Sequence, residues 1–220
     1  MSMWRAPNAR AFKDRHEAGG ALADLLQGYA HRNDVVVLAL PRGGVPVAYE
    51  VARSLDVPLD VFSVRKLGVP GHPELAMGAI ASGGVQVLND EVLAWYQPSA
   101  DTVEAVARVE MRELERREQL YRQGRPLVLV EGRTVILVDD GLATGSTMRA
   151  AVQAIRQLRA GSVVVAAPVG APDTCRAMRQ VADDVVCAFT PDGFTAVGAW
   201  YEDFSETSDD EVRRLLHEVR

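Results

Sequence analysis

The stretch Val135 to Thr147, VILVDDGLATGST, constrains the fold of this chain more than any other. Apolar β-formers run into the adjacent carboxylates Asp139 and Asp140, then into a loop of small and hydroxyl residues. A helical pattern follows at Met148, Ala151, Val152, Ile155 and Leu158. This predicts a buried strand, a polar loop and a helix N-terminus. The first turn of a helix leaves backbone N–H groups unpaired and carries a partial positive charge, so the loop suits an anion, most naturally a phosphate. Gly141 and Gly145 allow close backbone approach, and Thr144, Ser146 and Thr147 add hydroxyl donors. Asp139 and Asp140 can accept from sugar hydroxyls or hold a hard cation. A phosphate at one end and a diol at the other describe a ribose 5-phosphate. Ordinary helix capping accounts for either half alone, but poorly for both in one continuous unit.

Other phosphate motifs do not fit. A Walker loop needs Lys after its last glycine, and Gly145 is followed by Ser146. The aspartyl phosphatase pattern, two Asp residues separated by one, fails because Val138 stands two before Asp140.

A second unit of the same kind lies upstream. Asp34 to Leu40, DVVVLAL, reads as a strand buried on both faces of a parallel sheet. It ends in Pro41-Arg42-Gly43-Gly44, and a helical pattern starts at Val45, which makes a second anion site. Pro58 to Val64 reads as the next strand and delivers Arg65 and Lys66 at its end. Leu67 to Gly78, rich in Gly and Pro, reads as a loop that carries His72 and Glu74. Ala79 to Leu88 reads as a β-hairpin turning at Gly83-Gly84.

Flanking these units, Phe12 to Ala30 reads as an amphipathic helix weakened at Gly19-Gly20. Asp101 to Arg122 reads as a long charged helix, with Glu104–Arg108, Glu113–Arg117 and Glu118–Arg122 in the favoured acid-first order. Its acids balance its arginines and no aromatics interleave, which argues for a structural or dimer-forming insertion over a nucleic-acid face. Ser162 to Val169 and Asp184 to Phe189 complete the strands, with a helix from about Pro172 to Val181 between them. Strands alternating with helices imply an α/β fold, a doubly wound, mainly parallel β-sheet with ligands at the carboxyl ends of its strands. The aromatic tail from Thr190 carries Phe194, Trp200, Tyr201 and Phe204, which form a hydrophobic cover or a platform for a planar base.

With 220 residues, 48% of them hydrophobic, the chain is expected to form a single domain: a core over about 31–190, a helical insertion over about 90–125, and a cover from 1–30 and 191–220. A net charge of -6 disfavours broad nucleic-acid or membrane-surface binding. The N-terminal segment has no apolar signal region and no apolar run reaches membrane-spanning length, so a soluble cytoplasmic protein is expected. Cys175 and Cys187 are too few and too far apart in the sequence for a disulfide framework or a zinc knuckle, and Cys187, in the apolar run DVVCAF, is expected to be a buried free thiol.

The stretch Asp139 to Thr147 closely resembles the 5-phosphoribosyl 1-pyrophosphate (PRPP) signature of type I phosphoribosyltransferases. The resemblance implies that Asp139 and Asp140 bind the ribose hydroxyls while Ala143, Thr144, Gly145, Ser146 and Thr147 wrap the 5-phosphate. Pro41 to Gly44 then resembles the pyrophosphate loop, which family members often hold with a cis non-proline peptide, by position Pro41–Arg42. In the family a mobile loop near Arg65 and Lys66 closes over PRPP and brings basic groups to the pyrophosphate. Purine enzymes carry an aromatic, a glycine strand and an acidic residue near pyrophosphate and metal, which Phe194, Gly198 and Glu202 or Asp203 match loosely; Trp200 is a further base-stacking candidate. The implied activity is Mg²⁺-dependent transfer of 5-phosphoribosyl from PRPP to a nitrogen acceptor, catalysed with Arg42, Arg65, Lys66, Asp139 and Asp140, in a homodimer. Mg²⁺ ligands would be drawn from Asp139, Asp140, Glu202 and Asp203. Enzymes acting on 6-oxopurines place an Asp where this chain has Ala143, which disfavours hypoxanthine or guanine as acceptor. A PRPP-sensing or RNA-binding regulator and a PRPP hydrolase are the alternatives on the same fold.

Overall fold

The central strands are uniform apolar runs because both of their faces are covered. In a computed structural model that describes residues 12–219, β1 (Val35–Ala39) and β6 (Thr134–Val138) are buried at every position. With β2 (Leu59–Val61), β7 (Ser162–Val169) and β8 (Asp184–Phe189) they form a parallel sheet in the order β2-β1-β6-β7-β8. Side chains alternate across the sheet. Val35, Val37, Ala39, Ile136 and Val138 face one core, which α1 (Arg15–Leu25), α2 (Gly44–Leu55) and α7 (Asp209–Glu218) cover. Val36, Leu38, Val135 and Leu137 face the other, under α5 (Ser146–Gln157) and α6 (Pro172–Met178). The doubly wound parallel sheet expected from the sequence is the one found.

The region after β2 departs from expectation. The run Pro58 to Val64 is not one strand, and Leu67 to Gly78 is not an irregular loop. Instead β3 (Val64–Val69), β4 (His72–Ala81) and β5 (Val85–Leu88) form a separate antiparallel sheet in that order. Arg65 and Lys66 therefore lie inside a strand. The physical reason is burial: Leu67, Val69, Met77 and Ile80 share a small core with Ala107 and Leu114 of α4 (Ala100–Arg122). The glycines that suggest a loop serve the strands. Gly71, at φ +82°, makes the turn, and a Cβ at Gly78 would stand 2.5 Å from the Val87 carbonyl oxygen. The expected hairpin turn at Gly83-Gly84 is present.

The N-terminal helix is shorter than expected. Asp14 caps α1 by accepting from the Glu17 N–H at 2.9 Å, and a single 3₁₀ turn occupies Gln27–Tyr29. Gly19 lets α1 lie against α2, since a Cβ there would meet the Val47 carbonyl oxygen at 2.7 Å. The long helix α4 forms as expected, with the Glu113–Arg117 and Glu118–Arg122 pairs at 2.8 Å each. A short helix α3 (Asp90–Tyr96), capped by Asn89, precedes it, and the acidic tail ends in α7. The first eleven residues of the expected cover lie outside the described residues. No helix among the described residues is long and apolar enough to cross a membrane.

Arg122 ties α4 to the sheet. Its guanidinium, 5% exposed, donates to Asp60 at 3.0 Å, to the Val61 carbonyl at 2.6 Å and pairs with Glu118 at 2.8 Å. Asp60 also accepts the Val128 N–H at 3.0 Å. Asp60→Ala leaves a buried cation short of a partner, and a loss of about 3 kcal/mol of unfolding free energy is expected, read as a lower urea midpoint.

Candidate active site

Strand order assembles the site. β1 and β6 are adjacent and in register, Ala39 opposite Val138, so the loops after them meet. The contact is close: a Cβ on Gly43 would fall on the Asp140 carboxylate, and one on Gly44 would lie 2.8 Å from the Val138 carbonyl oxygen and 3.0 Å from Asp139 Cα. Only glycine allows the Pro41–Gly44 loop to lie this flat against the acidic pair. The Pro41–Arg42 peptide is cis.

Asp139 and Asp140 differ in environment. Asp139 Oδ1 accepts the Asp140 N–H at 2.9 Å. Burial, with the charge of Asp140 beside it, holds its carboxyl well above the usual carboxylate range. Burial also raises Asp140, but Arg15 opposes this by donating from Nε and Nη2 to Oδ2, both at 2.9 Å. Arg15 further donates to the Ser205 carbonyl at 2.7 Å and stacks 4.0 Å over the Phe204 ring. The Tyr201 hydroxyl donates to the Asp140 carbonyl at 2.5 Å, and burial pushes that phenol upward. The sequence does not disclose Arg15, which reads as one charge on the polar side of a helix, nor that Tyr201 and Phe204 of the aromatic tail lie against the acidic pair and its arginine.

Arg15→Gln strands the Asp140 carboxylate. A loss of about 2 kcal/mol or more is expected near neutral pH. Asp140 already binds a proton more tightly folded than unfolded, and more tightly still without its cation, so the deficit shrinks as pH falls and grows as pH rises. Urea midpoints of variant and parent at about pH 5 and about pH 8 check the sign.

The loop before α5 is an open cradle. Ala143, Thr144, Ser146 and Thr147 are exposed, and the helix begins after Gly145 without any side-chain cap. Gly145 has φ +70°, and a Cβ there would stand 2.7 Å from Thr174 Cγ2. The loop is pinned from below: Leu142 N–H donates to Val169 O at 2.9 Å, Ala171 N–H to Leu142 O at 2.8 Å, and Thr174 Oγ1 to Ala143 O at 2.5 Å. Gly141 packs 2.5 Å, measured from the position of a Cβ, from Val197. An uncapped helix start with exposed hydroxyls beside it suits a phosphate-sized anion.

Residues 11–201 match the family model described as a phosphoribosyl transferase domain. The chain belongs to that family. The chain is 50% identical over 207 residues to a protein of Mycobacterium tuberculosis H37Rv, Rv0571c, whose name places it among phosphoribosyl transferases. That match covers 94% of this chain and 46% of the relative, so the chain spans about half the length of the relative. The crystal structure of TT1426 from Thermus thermophilus is similar over 95% of this chain and 99% of that one, at 43% identity and a TM-score of 0.84.

The remaining candidates of the phosphoribosyl transferase domain are placed unequally. Arg42 pairs with Glu206 and, at 3.7 Å, with Asp209, both in the acidic segment before and at the start of α7. Arg65 donates to Glu110 of α4 at 2.5 Å. Lys66, 3.7 Å from Glu74, lines a cavity of about 590 Å³ together with Ser146, Thr147 and Arg149. His72 is exposed and packs against Tyr96, ring centroids 5.5 Å apart. Phe194, half-buried, packs on a small core of Ala18, Val169 and Tyr201, and Trp200, also half-buried, stacks edge-on with Phe189 at 5.1 Å. Glu202 donates its N–H to Phe12 O, and Asp203 Oδ1 accepts the Ser205 N–H. Among the described residues no group of three or more His, Cys, Asp or Glu side chains is arranged to hold a metal, so Asp139, Asp140, Glu202 and Asp203 do not form one ligand set. Two adjacent carboxylates suit a Mg²⁺ ion that takes its other ligands from phosphate and water.

Proposed function

We propose that this chain is a PRPP-dependent phosphoribosyltransferase that uses Mg²⁺ to transfer the 5-phosphoribosyl group to a nitrogen acceptor and releases pyrophosphate. The observation that carries the reading is the contact between the Pro41–Gly44 loop and the Asp139–Asp140 pair, with the α5 cradle on the same strand. Anion sites on both sides of a diol acceptor match a substrate phosphorylated at both ends of one ribose.

In this reading the Thr144 and Thr147 hydroxyls and the first-turn amides of α5 hold the 5-phosphate, and Asp139 accepts from the ribose hydroxyls. Holding both ends of the sugar fixes C1 for attack, which is a large rate term in itself. Negative charge grows on the leaving pyrophosphate, and Arg42 with the glycine loop stabilises it. The exposed Glu206 and Asp209 carboxylates exchange for pyrophosphate oxygens at the Arg42 guanidinium. Lys66 reaches the site from the β3–β4 hairpin, which also screens the ribosyl centre from water. Bound Mg²⁺ supplies charge neutralisation on the pyrophosphate oxygens.

Pyrophosphate release from PRPP and Mg²⁺, measured with and without a panel of purines, pyrimidines and amines, tests the assignment. Acceptor-dependent release is expected, with adenine-like or non-purine acceptors favoured over 6-oxopurines because of Ala143. Release that ignores every acceptor identifies a hydrolase instead, and no binding of PRPP at about millimolar concentration removes the proposal.

A further inference from the structure

Cys175 and Cys187 stand apart in the sequence as a helix residue and a strand residue, but the fold brings them together. Helix α6 lies back across the end of β8, and the two Sγ atoms are 2.8 Å apart with no bond between them. Cys175 is 2% exposed and Cys187 is half-buried. The approach is made possible by Gly170, where a Cβ would collide with Cys175 Sγ and crowd Cys187 Sγ at 3.4 Å. The same short segment holds the phosphate cradle. Gly170 bridges Leu142, Ala171 donates to Leu142 O, and Thr174, the neighbour of Cys175, donates to Ala143 O.

We propose that Cys175 and Cys187 form a reversible dithiol–disulfide site, oxidised by a small hydroperoxide, which clamps α6 to β8 and so alters the phosphate cradle. The consequence for the cradle's ligand rests on the function proposed above; the disulfide itself does not. Cys175 takes the nucleophile's part. Its thiol is held below the usual range by the Cys187 S–H beside it, with Arg179 assisting, whereas Cys187 is held above it. The Cys175 thiolate attacks one peroxide oxygen and the O–O bond breaks, leaving Cys175–SOH and, after protonation, one water. Cys187 sulfur then attacks the Cys175 sulfur, the S–O bond breaks, and the departing hydroxide takes the Cys187 proton as a second water. Two thiols have been oxidised to one disulfide and one hydrogen peroxide reduced to two waters. A small oxidant is required because Cys175 is almost fully covered. The cross-link removes the freedom of α6 to lift from β8, and Thr174 carries that constraint to Ala143.

The test uses the full chain, treated with hydrogen peroxide, quenched with catalase and alkylated. Peptide mapping is expected to show Cys175 joined to Cys187 within one molecule, reversed by dithiothreitol. Amide hydrogen exchange over 171–178 is expected to slow in the oxidised form, and affinity for ribose 5-phosphate to change several-fold between the two forms. In Cys187→Ser the sulfenic acid on Cys175 is expected to accumulate and be trapped by dimedone. Free thiols after oxidation, or bridges only between molecules, overturn the site. A disulfide that leaves exchange and ribose 5-phosphate affinity unchanged overturns the clamp. If neither form binds ribose 5-phosphate, the proposed function falls, while mapping and exchange still decide the disulfide.

Discussion

Asp139→Asn combined with Asp140→Asn is expected to weaken PRPP binding by about 100-fold or more, because each carboxylate is a charge-assisted acceptor worth more than a neutral one. Titration calorimetry of the variant with PRPP and Mg²⁺ measures it, and unchanged affinity would assign the pair to structure alone. The single Asp139→Asn separates binding from stability. Burial and the neighbouring charge raise the native Asp139 carboxyl well above its unfolded value. The native chain therefore keeps a proton that the unfolded chain gives up, and stability falls as pH rises from the ordinary carboxylate range through the raised value. Asn carries no such cost. Asp139→Asn is expected to bind PRPP weakly and yet to be more stable than the parent at neutral pH, the opposite of what a purely structural residue would give. In the parent, PRPP affinity is expected to improve with rising pH over the same window, as the carboxylate proposed to read the diol becomes charged.

Gly44→Ala is expected to lower kcat/KM by about 100-fold while leaving ribose 5-phosphate binding nearly intact. The new Cβ meets backbone on both sides, Val138 O at 2.8 Å and Asp139 Cα at 3.0 Å, and neither can rotate away as a side chain would. The Pro41–Gly44 loop must shift from the acidic pair, and the proposed pyrophosphate half of the site moves with it. The cradle on α5 shares no atom with that clash. Steady-state kinetics against calorimetry with ribose 5-phosphate separate the two halves, and equal losses in both would show that the loop shift deforms the whole site. Overpacking of this kind also costs about 1 to 3 kcal/mol of stability, so thermal unfolding is recorded alongside.

Much of this architecture is legible locally. VVVLA and TVILV announce buried parallel strands because they are apolar without alternation, and the glycines and helical pattern after each announce a strand–loop–helix unit. The family resemblance at Asp139 to Thr147 agrees with the matched domain over 11–201. Reading fails where a residue's part depends on distant neighbours. Leu67 to Gly78 looks like loop because Gly and Pro are frequent there; it becomes a hairpin because α4 covers Leu67, Val69 and Met77. Phe194 and Trp200 read as a cover or a base platform, and only the fold gives them their neighbours, a small core with Ala18 for Phe194 and the Phe189 ring for Trp200, with both side chains left half-buried.

The two strand–loop–helix units around β1 and β6, the two glycine loops and the acidic pair are legible in the sequence alone, because each is encoded within a few consecutive residues. Tertiary structure alone decided that Gly43 lies on Asp140, that Arg15, 125 residues away in the chain, neutralises one of the two carboxylates, and that Cys175 touches Cys187. Periodicity reports which face of an element is buried; it carries no information on which charge or thiol from elsewhere will be buried against it.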